Sequence, residues 1–171
     1  MPKSPEQPHT WDSPTHAHPE PVPLVTASDL VNPMLRVADA MTTGPRTCSP
    51  VSTALEAVLI FLDADCGLVP VTEDGRPLGV LTDRDVALAL AAHEHDLART
   101  PVGELMSKDP ATIGPDATLE EAMGKLGGEG LRRLLVVDDG RLVGLLSWTD
   151  LVPHLSERGV GRVVSEIVRN R

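Results

Sequence analysis

The chain predicts an α/β fold of two β-α-β-β-α units related by a pseudo-two-fold axis, and three observations carry that reading. The first is an internal repeat: at an offset of 65 residues, Val37 to Val86 lies on Val102 to Leu151 without a gap. Met41 falls on Met106, Pro45 on Pro110, Thr47 on Thr112, Thr53 on Thr118, Gly79 on Gly144 and Asp85 on Asp150. The second is a pair of apolar runs in each copy, joined by Asp74-Gly75 or Asp139-Gly140. Asp-Gly between such runs is a hairpin signal, because the tight turn needs positive φ at both central residues. The third is a helical period ahead of each hairpin, seen in the first copy at positions 54, 55, 58, 59, 61 and 62. A unit of about 50 residues buries too little surface to be stable alone. The two units are therefore expected to pack sheet face to sheet face.

Taken in order, residues 1–32 read as a tail. Seven prolines lie between positions 2 and 23, and the apolar residues have no period. Such a segment cannot offset its ordering entropy. The scattered His9, His16 and His18 read as part of a solvated linker. The first unit spans 37–92. A helical turn, Val37–Met41, leads to an extended piece at Pro45–Ser49. Ser52 or Thr53 can cap a helix to Ala64, and Glu56 completes a capping box if the cap is Thr53. A strand at Leu68–Thr72, the turn at 73–76 and a strand at Pro77–Leu81 follow, then a helix from Asp83 to Ala92. Residues 93–101 link the copies. The second unit, 102–155, repeats the plan: a turn at Val102–Met106 and an extended Ala111–Ile113. A helix at Thr118–Leu126 is expected to close at Gly127 and Gly128. Strands at Arg132–Val137 and Leu142–Leu146 precede a helix at Ser147–Leu155. The remaining 156–171 are basic, with an amphipathic piece at Val163–Val168 that predicts a terminal helix.

Composition narrows the function. Net charge is −10 and aromatics are 2% of the chain. The core must be aliphatic, and binding of a nucleic-acid polyanion or of stacked single strands is disfavoured. Cys48 matches Ile113 and Cys66 matches Leu131, so both thiols read as small core residues. His93-Glu94-His95 lacks the second histidine of a zinc-protease motif, since Leu97 stands in its place. No paired carboxylates, nucleophile motif or metal-ligand spacing suggests an enzyme. The opening MPKSPEQPHT has no apolar signal-peptide core, and no apolar run approaches a membrane span. A cytoplasmic protein is expected.

One constellation carries chemistry. At Leu81-Thr82-Asp83-Arg84-Asp85 a strand gives way to a helix whose first N–H groups lack partners, which makes an anion site. The Thr82 hydroxyl and the Arg84 charge add donors. The Asp85 carboxylate would repel a phosphate, but suits the diol of a ribose. Ser147, Thr149 and Asp150 offer the same set in the second copy. Arg132 and Arg133, which replace Gly67 and Leu68, are candidate phosphate ligands through their forked donors. A purely structural role is also consistent with the pattern: Thr-x-x-Asp and Ser-x-x-Asp cap helices, and two arginines suit a solvated strand edge. Trp148, which replaces Asp83, reads best as packing.

The stretches LVPVTEDGRPLGVLTDRDV and RRLLVVDDGRLVGLLSWTDL, each opened upstream by a threonine-bearing strand, resemble the tandem cystathionine-β-synthase (CBS) domain pair, or Bateman module. The resemblance covers Val37 to Leu155. It implies a regulatory module that binds AMP, ADP, ATP or S-adenosylmethionine in clefts between the units. It assigns ribose to Asp85 and Asp150 and phosphate to Thr82 and Ser147. The strands after Thr47 and Thr112 would face the adenine, with Val69, Val71, Leu134 and Val136 sandwiching it. The apolar helix at 86–92 adds the expectation of a homodimer. A ligand-free dimeric scaffold and a nucleic-acid-binding protein of the same family are the alternative readings. The regulatory reading also implies a protein partner.

Overall fold

The computed structural model describes residues 31–93 and 96–169. Residues 1–30, which hold nearly all of the expected tail, lie outside them, as do Glu94 and His95 of the linker. The elements are α1 (Val37–Ala40), β1 (Thr42–Thr43), α2 (Ala54–Ala64), β2 (Leu68–Glu73), β3 (Arg76–Thr82) and α3 (Asp83–His93). The second copy gives α4 (Val102–Leu105), β4 (Ser107–Lys108), β5 (Thr112–Ile113), α5 (Leu119–Gly128), β6 (Arg133–Asp138), β7 (Arg141–Ser147) and α6 (Trp148–Leu151), and α7 (Glu157–Arg169) follows.

Local chemistry accounts for most boundaries. Thr53 caps α2 and Thr118 caps α5. In each case the hydroxyl accepts from the backbone N–H three residues on, while Glu56 or Glu121 accepts from the cap's own N–H at 2.7 Å. The hairpin turns hold Asp74 and Gly75 at φ 51° and 78°, and Asp139 and Gly140 at 45° and 75°, as the paired positive angles of a tight turn require.

Three boundaries differ from expectation. α5 runs on through Gly127 and Gly128, and the left-handed residue beyond its end is Gly130, at φ 65°. The helix expected over Ser147–Leu155 is only four residues long and passes into a 3-10 turn at Val152–His154, because Pro153 has no N–H to continue the α ladder. The terminal helix begins at Glu157 rather than Val163, since the Ser156 hydroxyl accepts from Gly159 N at 3.2 Å and starts it early.

The units are tied together by exchange. The sheets have strand orders β1-β7-β6-β5 and β2-β3-β4. Thus β1, from the first copy, pairs antiparallel with β7 of the second, and β4 of the second pairs antiparallel with β3 of the first. The short helices cross over as well. Val37 N donates to Ala117 O and Val102 N to Ser52 O, both at 2.8 Å. Val37 consequently packs in the core of the second unit with Leu119, Leu126, Leu134 and Trp148, and Val102 packs in the first with Ala57, Val69 and Leu81. Val31, expected in the tail, is also buried and forms a bridge to Leu155. The hairpins meet where Leu142 N donates to Gly75 O at 2.9 Å. Among the described residues no helix is long and apolar enough to cross a membrane.

Candidate ligand cleft

At the junction of β3 and α3, Thr82 and Asp85 lock together. Thr82 N and Oγ1 donate to Asp85 Oδ2 at 2.9 and 2.6 Å, and Asp85 N donates back to Thr82 Oγ1 at 3.2 Å. The second copy repeats this, with Ser147 N and Oγ donating to Asp150 Oδ2 at 2.7 and 2.6 Å, and Thr149 Oγ1 2.7 Å from Ser147 Oγ. The helix-capping role is therefore realised in both copies. It engages one carboxylate oxygen, Oδ2, of each aspartate.

A cleft of about 720 Å³ opens beside the first junction. Gly67, Leu68, Val80, Thr82, Asp83 and Arg84 of the first unit line it. Ser107 and Lys108 of β4, the segment Asp109-Pro110-Ala111, and Leu131, Arg132, Arg133 and Leu135 line it from the second unit. Its volume suits a small-molecule ligand. Four cations, Arg84, Lys108, Arg132 and Arg133, meet two carboxylates, Asp83 and Asp109, around it. None of the four has an ion-pair partner among the described residues.

The expected site residues are divided by this geometry. Thr82, Arg84, Arg132 and Arg133 come together in the wall, and Asp85 stands directly behind Thr82. Thr112 follows the lining residue Ala111, but its carbonyl already accepts Lys125 Nζ at 2.8 Å. Thr47 is exposed beside Cys48, and Ser147, Thr149 and Asp150 belong to the other junction, outside this wall. Val71 and Val136 require correction. Both are 0% exposed, as are Val69 and Leu134, so none can sandwich a base. Strand side chains alternate between faces, and these four point into the two cores. Leu68, Val80, Pro110, Ala111 and Leu131 are the half-buried apolar residues that line the cleft, and Leu135, which also lines it, is only 2% exposed.

Lys108 and Asp109 were missed because a two-residue polar strand has no hydrophobic period. The usable signal was the repeat itself, which pairs Pro110 with Pro45 and so marks both segments as part of the unit. Trp148 is packed as expected, with its indole N–H donating to Leu131 O at 2.9 Å. Cys48 is buried, which pushes its thiol up to about 11, while Cys66 is only half-buried. Among the described residues no group of three or more His, Cys, Asp or Glu side chains is placed to hold a metal ion.

Comparison with known proteins identifies the family. The CBS domain family matches residues 37–92 and 102–157. The CBS domain-containing protein YhcV of Bacillus subtilis (strain 168) is 38% identical over 135 residues, covering 78% of this chain and 96% of YhcV. The crystal structure of Hypoxic Response Protein I with two coordinated zinc ions superposes with a TM-score of 0.65 at 27% identity, covering 71% of this chain and 100% of that one. The CBS domain pair of protein MJ0100, solved with 5-methylthioadenosine and S-adenosyl-L-methionine, gives a TM-score of 0.63 at 24% identity over 71% of this chain and 95% of that one, a likeness of fold alone. The chain belongs to the CBS domain family, of which it carries two copies in tandem.

Proposed function

We propose that this CBS pair is a non-catalytic regulatory module that binds an adenine nucleotide in the cleft between its units. The observation that carries the reading is the convergence on one cleft walled by both units of the Thr82 junction and four cations that have no ion-pair partner among the described residues. A phosphate suits the cations and the start of α3. Asp85 Oδ1, which the cap leaves over, suits a ribose hydroxyl, and Leu68, Val80 and Pro110 offer half-buried apolar surface to a base. A ligand held by both units would favour one relative disposition of them over others, and so bias a protein partner. A homodimer is part of this reading, because Leu55, Leu59 and Leu62 of α2 and Leu88 of α3 are exposed at 42%, 50%, 75% and 56%. The ligand-free scaffold is the reading that the capping hydrogen bonds favour, since they give Asp85 and Asp150 a structural reason to exist.

A thermal-shift screen of AMP, ADP, ATP, NADH and S-adenosylmethionine decides between the two. Binding to the native state alone adds RT ln(1 + [L]/Kd), about 2.7 kcal/mol at a hundredfold excess over Kd. At least one adenine compound is expected to raise the melting temperature, and Asp85→Ala is expected to weaken it. Silence from all of them at millimolar concentration, in calorimetry as well as melting, would leave the scaffold.

A further inference from the structure

The matched CBS domains end at residue 157, where α7 (Glu157–Arg169) begins. Its own sequence barely supports a helix. Of its 13 residues, Gly159 and Gly161 are poor helix formers, and Val160, Val163, Val164, Ile167 and Val168 are β-branched. A helix of that length and composition is marginal in water and takes its stability from packing an apolar face. Such a face exists, because positions 160, 163, 164, 167 and 168 fall on one side of a helix. Yet Val164 and Val168 are 53% and 62% exposed, so the chain itself does not cover them. A second apolar stripe lies open on α2, where Leu55, Leu59 and Leu62, at i, i+4 and i+7, are all exposed. Their counterparts on α5, 65 residues on, are Glu120, Gly124 and Gly127, so this stripe belongs to the first unit alone. Both stripes are exposed in the single chain and therefore do not meet within it.

Charge decides what covers the α2 stripe. α2 carries Glu56 and Asp63, both exposed, and no Lys or Arg, and the exposed Asp65 ends it. A two-fold dimer that laid α2 on α2 would set these acidic flanks against themselves. α5 is no better a partner, since it offers Glu120 and Glu121 and its one cation, Lys125, donates to Thr112 O. α7 has the opposite sign. Residues 157–171 hold four arginines against two glutamates, in a chain whose net charge is −10. We infer that α7 of one protomer lies along the α2 stripe of a second copy, with Val164 and Val168 against Leu55, Leu59 and Leu62, and that the contact is made twice in a two-fold dimer. This rests on the homodimer proposed above and names the surfaces that meet. The basic end of the chain then lies beside the acidic flanks of α2, and α7 gains the packing that its sequence requires. A lipid surface suits α7 less well, because it has no aromatic, Leu or Lys residue to place at such an interface.

The test is sedimentation equilibrium of the full chain at about 0.15 M salt, where repulsion between the two acidic bodies is largely screened. The wild type should be a dimer. Val164→Asp and Leu59→Asp should each raise its dissociation constant by about tenfold or more, since each would bury a carboxylate against apolar side chains. Both positions are exposed in the single chain, so the fold itself tolerates the change. An equimolar mixture of the two variants should dimerise more tightly than either alone, because the heterodimer keeps one unaltered α7–α2 contact. That recovery also shows that both variants are folded. Asp63→Asn should weaken the dimer by about twofold, the scale of one exposed charge pair. Dissociation by Leu59→Asp but not by Val164→Asp, with a tighter dimer in Asp63→Asn, overturns the inference and leaves a homodimer that pairs α2 with α2. A mixture no tighter than the single variants overturns it as well. Binding to vesicles of anionic lipid that Val164→Asp abolishes, with the dimer unchanged, assigns α7 to a membrane and overturns it. A wild type that stays monomeric overturns the homodimer along with the inference, and leaves the adenine cleft untouched.

Discussion

Cys48 shows how a single side chain reports its surroundings. It sits in the first core, 7% exposed, and bridges to Val71 in parallel, as β5 pairs with β6 in the other unit. Burial is the largest cause of its raised thiol pKa, about 11 against an ordinary 9.0. The neutral thiol is the form that the fold favours, so the sign of the linkage is set. Its contribution to stability is complete below about pH 9 and declines as pH rises toward 11, by roughly 2–3 kcal/mol at most. The stability difference between wild type and Cys48→Ala should shrink over that window, as measured by urea unfolding at each pH. A constant difference would show that the thiol titrates normally. In native labelling with a thiol reagent at pH 8, Cys66 should react before Cys48, since it is only half-buried. The match of these two cysteines to Ile113 and Leu131 identified both as apolar positions. It could not rank their exposure, because exposure depends on how neighbouring elements cover each one.

At the scale of elements, two glycines determine whether the units can exchange strands. A Cβ on Gly79 would stand 2.5 Å from Ser107 O and 2.9 Å from Met106 Sδ, and one on Gly144 would stand 2.6 Å from Met41 Sδ and 3.1 Å from Thr42 O. Each glycine therefore lets a short crossing strand lie against a hairpin of the other unit, β4 on β3 and β1 on β7. Gly79→Ala and Gly144→Ala should each destabilise the fold by about 1–3 kcal/mol, the usual cost of forcing an extra methyl into a packed site. Gly114→Ala meets nothing within 4 Å and serves as the control, with a change near zero. Chemical denaturation of the three variants checks this, and equal stabilities would refute the close approach. The same elements show what could be read from sequence. The long helices, the hairpins and the Thr53 capping box were legible, because period and turn chemistry are local. β1 and β4 were not, because two polar residues carry no period and their pairing is made with the other copy. Conservation of Gly79 as Gly144 between the copies was the visible trace of that pairing, though its cause is tertiary. The cleft was legible in half for a related reason. Thr82, Arg84, Arg132 and Arg133 stand out as motif or as departures from the repeat, whereas Lys108 reaches the cleft only through the unseen strand.

For the whole molecule, the exchange makes the two units one cooperative body. Each core lacks a buried valine until the other copy supplies it: Val102 for the first and Val37 for the second, both 0% exposed. Each α-β-α layer also borrows backbone hydrogen bonds, from Val37 and Ala38 to the 115–117 turn and from Val102 and Gly103 to the 50–52 turn. A fragment of residues 33–101 would keep α1 with no second unit to receive it, and would leave its own core without Val102 and β3 without β4. Removing a Val side chain from such a core costs about 1.5–3 kcal/mol in transfer alone, before the lost strand pairing and the cavity are counted. Total stabilities of small domains are only about 5–15 kcal/mol, and a single unit near 50 residues sits at the weak end. The fragment should therefore show little native-like circular dichroism and no cooperative melt. Mixing it with residues 102–169 should restore both signals with a dependence on concentration. The intact chain should unfold in a single transition, since neither core survives the loss of the other. A cooperative melt of the isolated 33–101 fragment would show that the exchange decorates two autonomous domains instead of joining them. A ligand in the cleft could then be sensed by one unit without the other, and the regulatory reading would lose its physical basis.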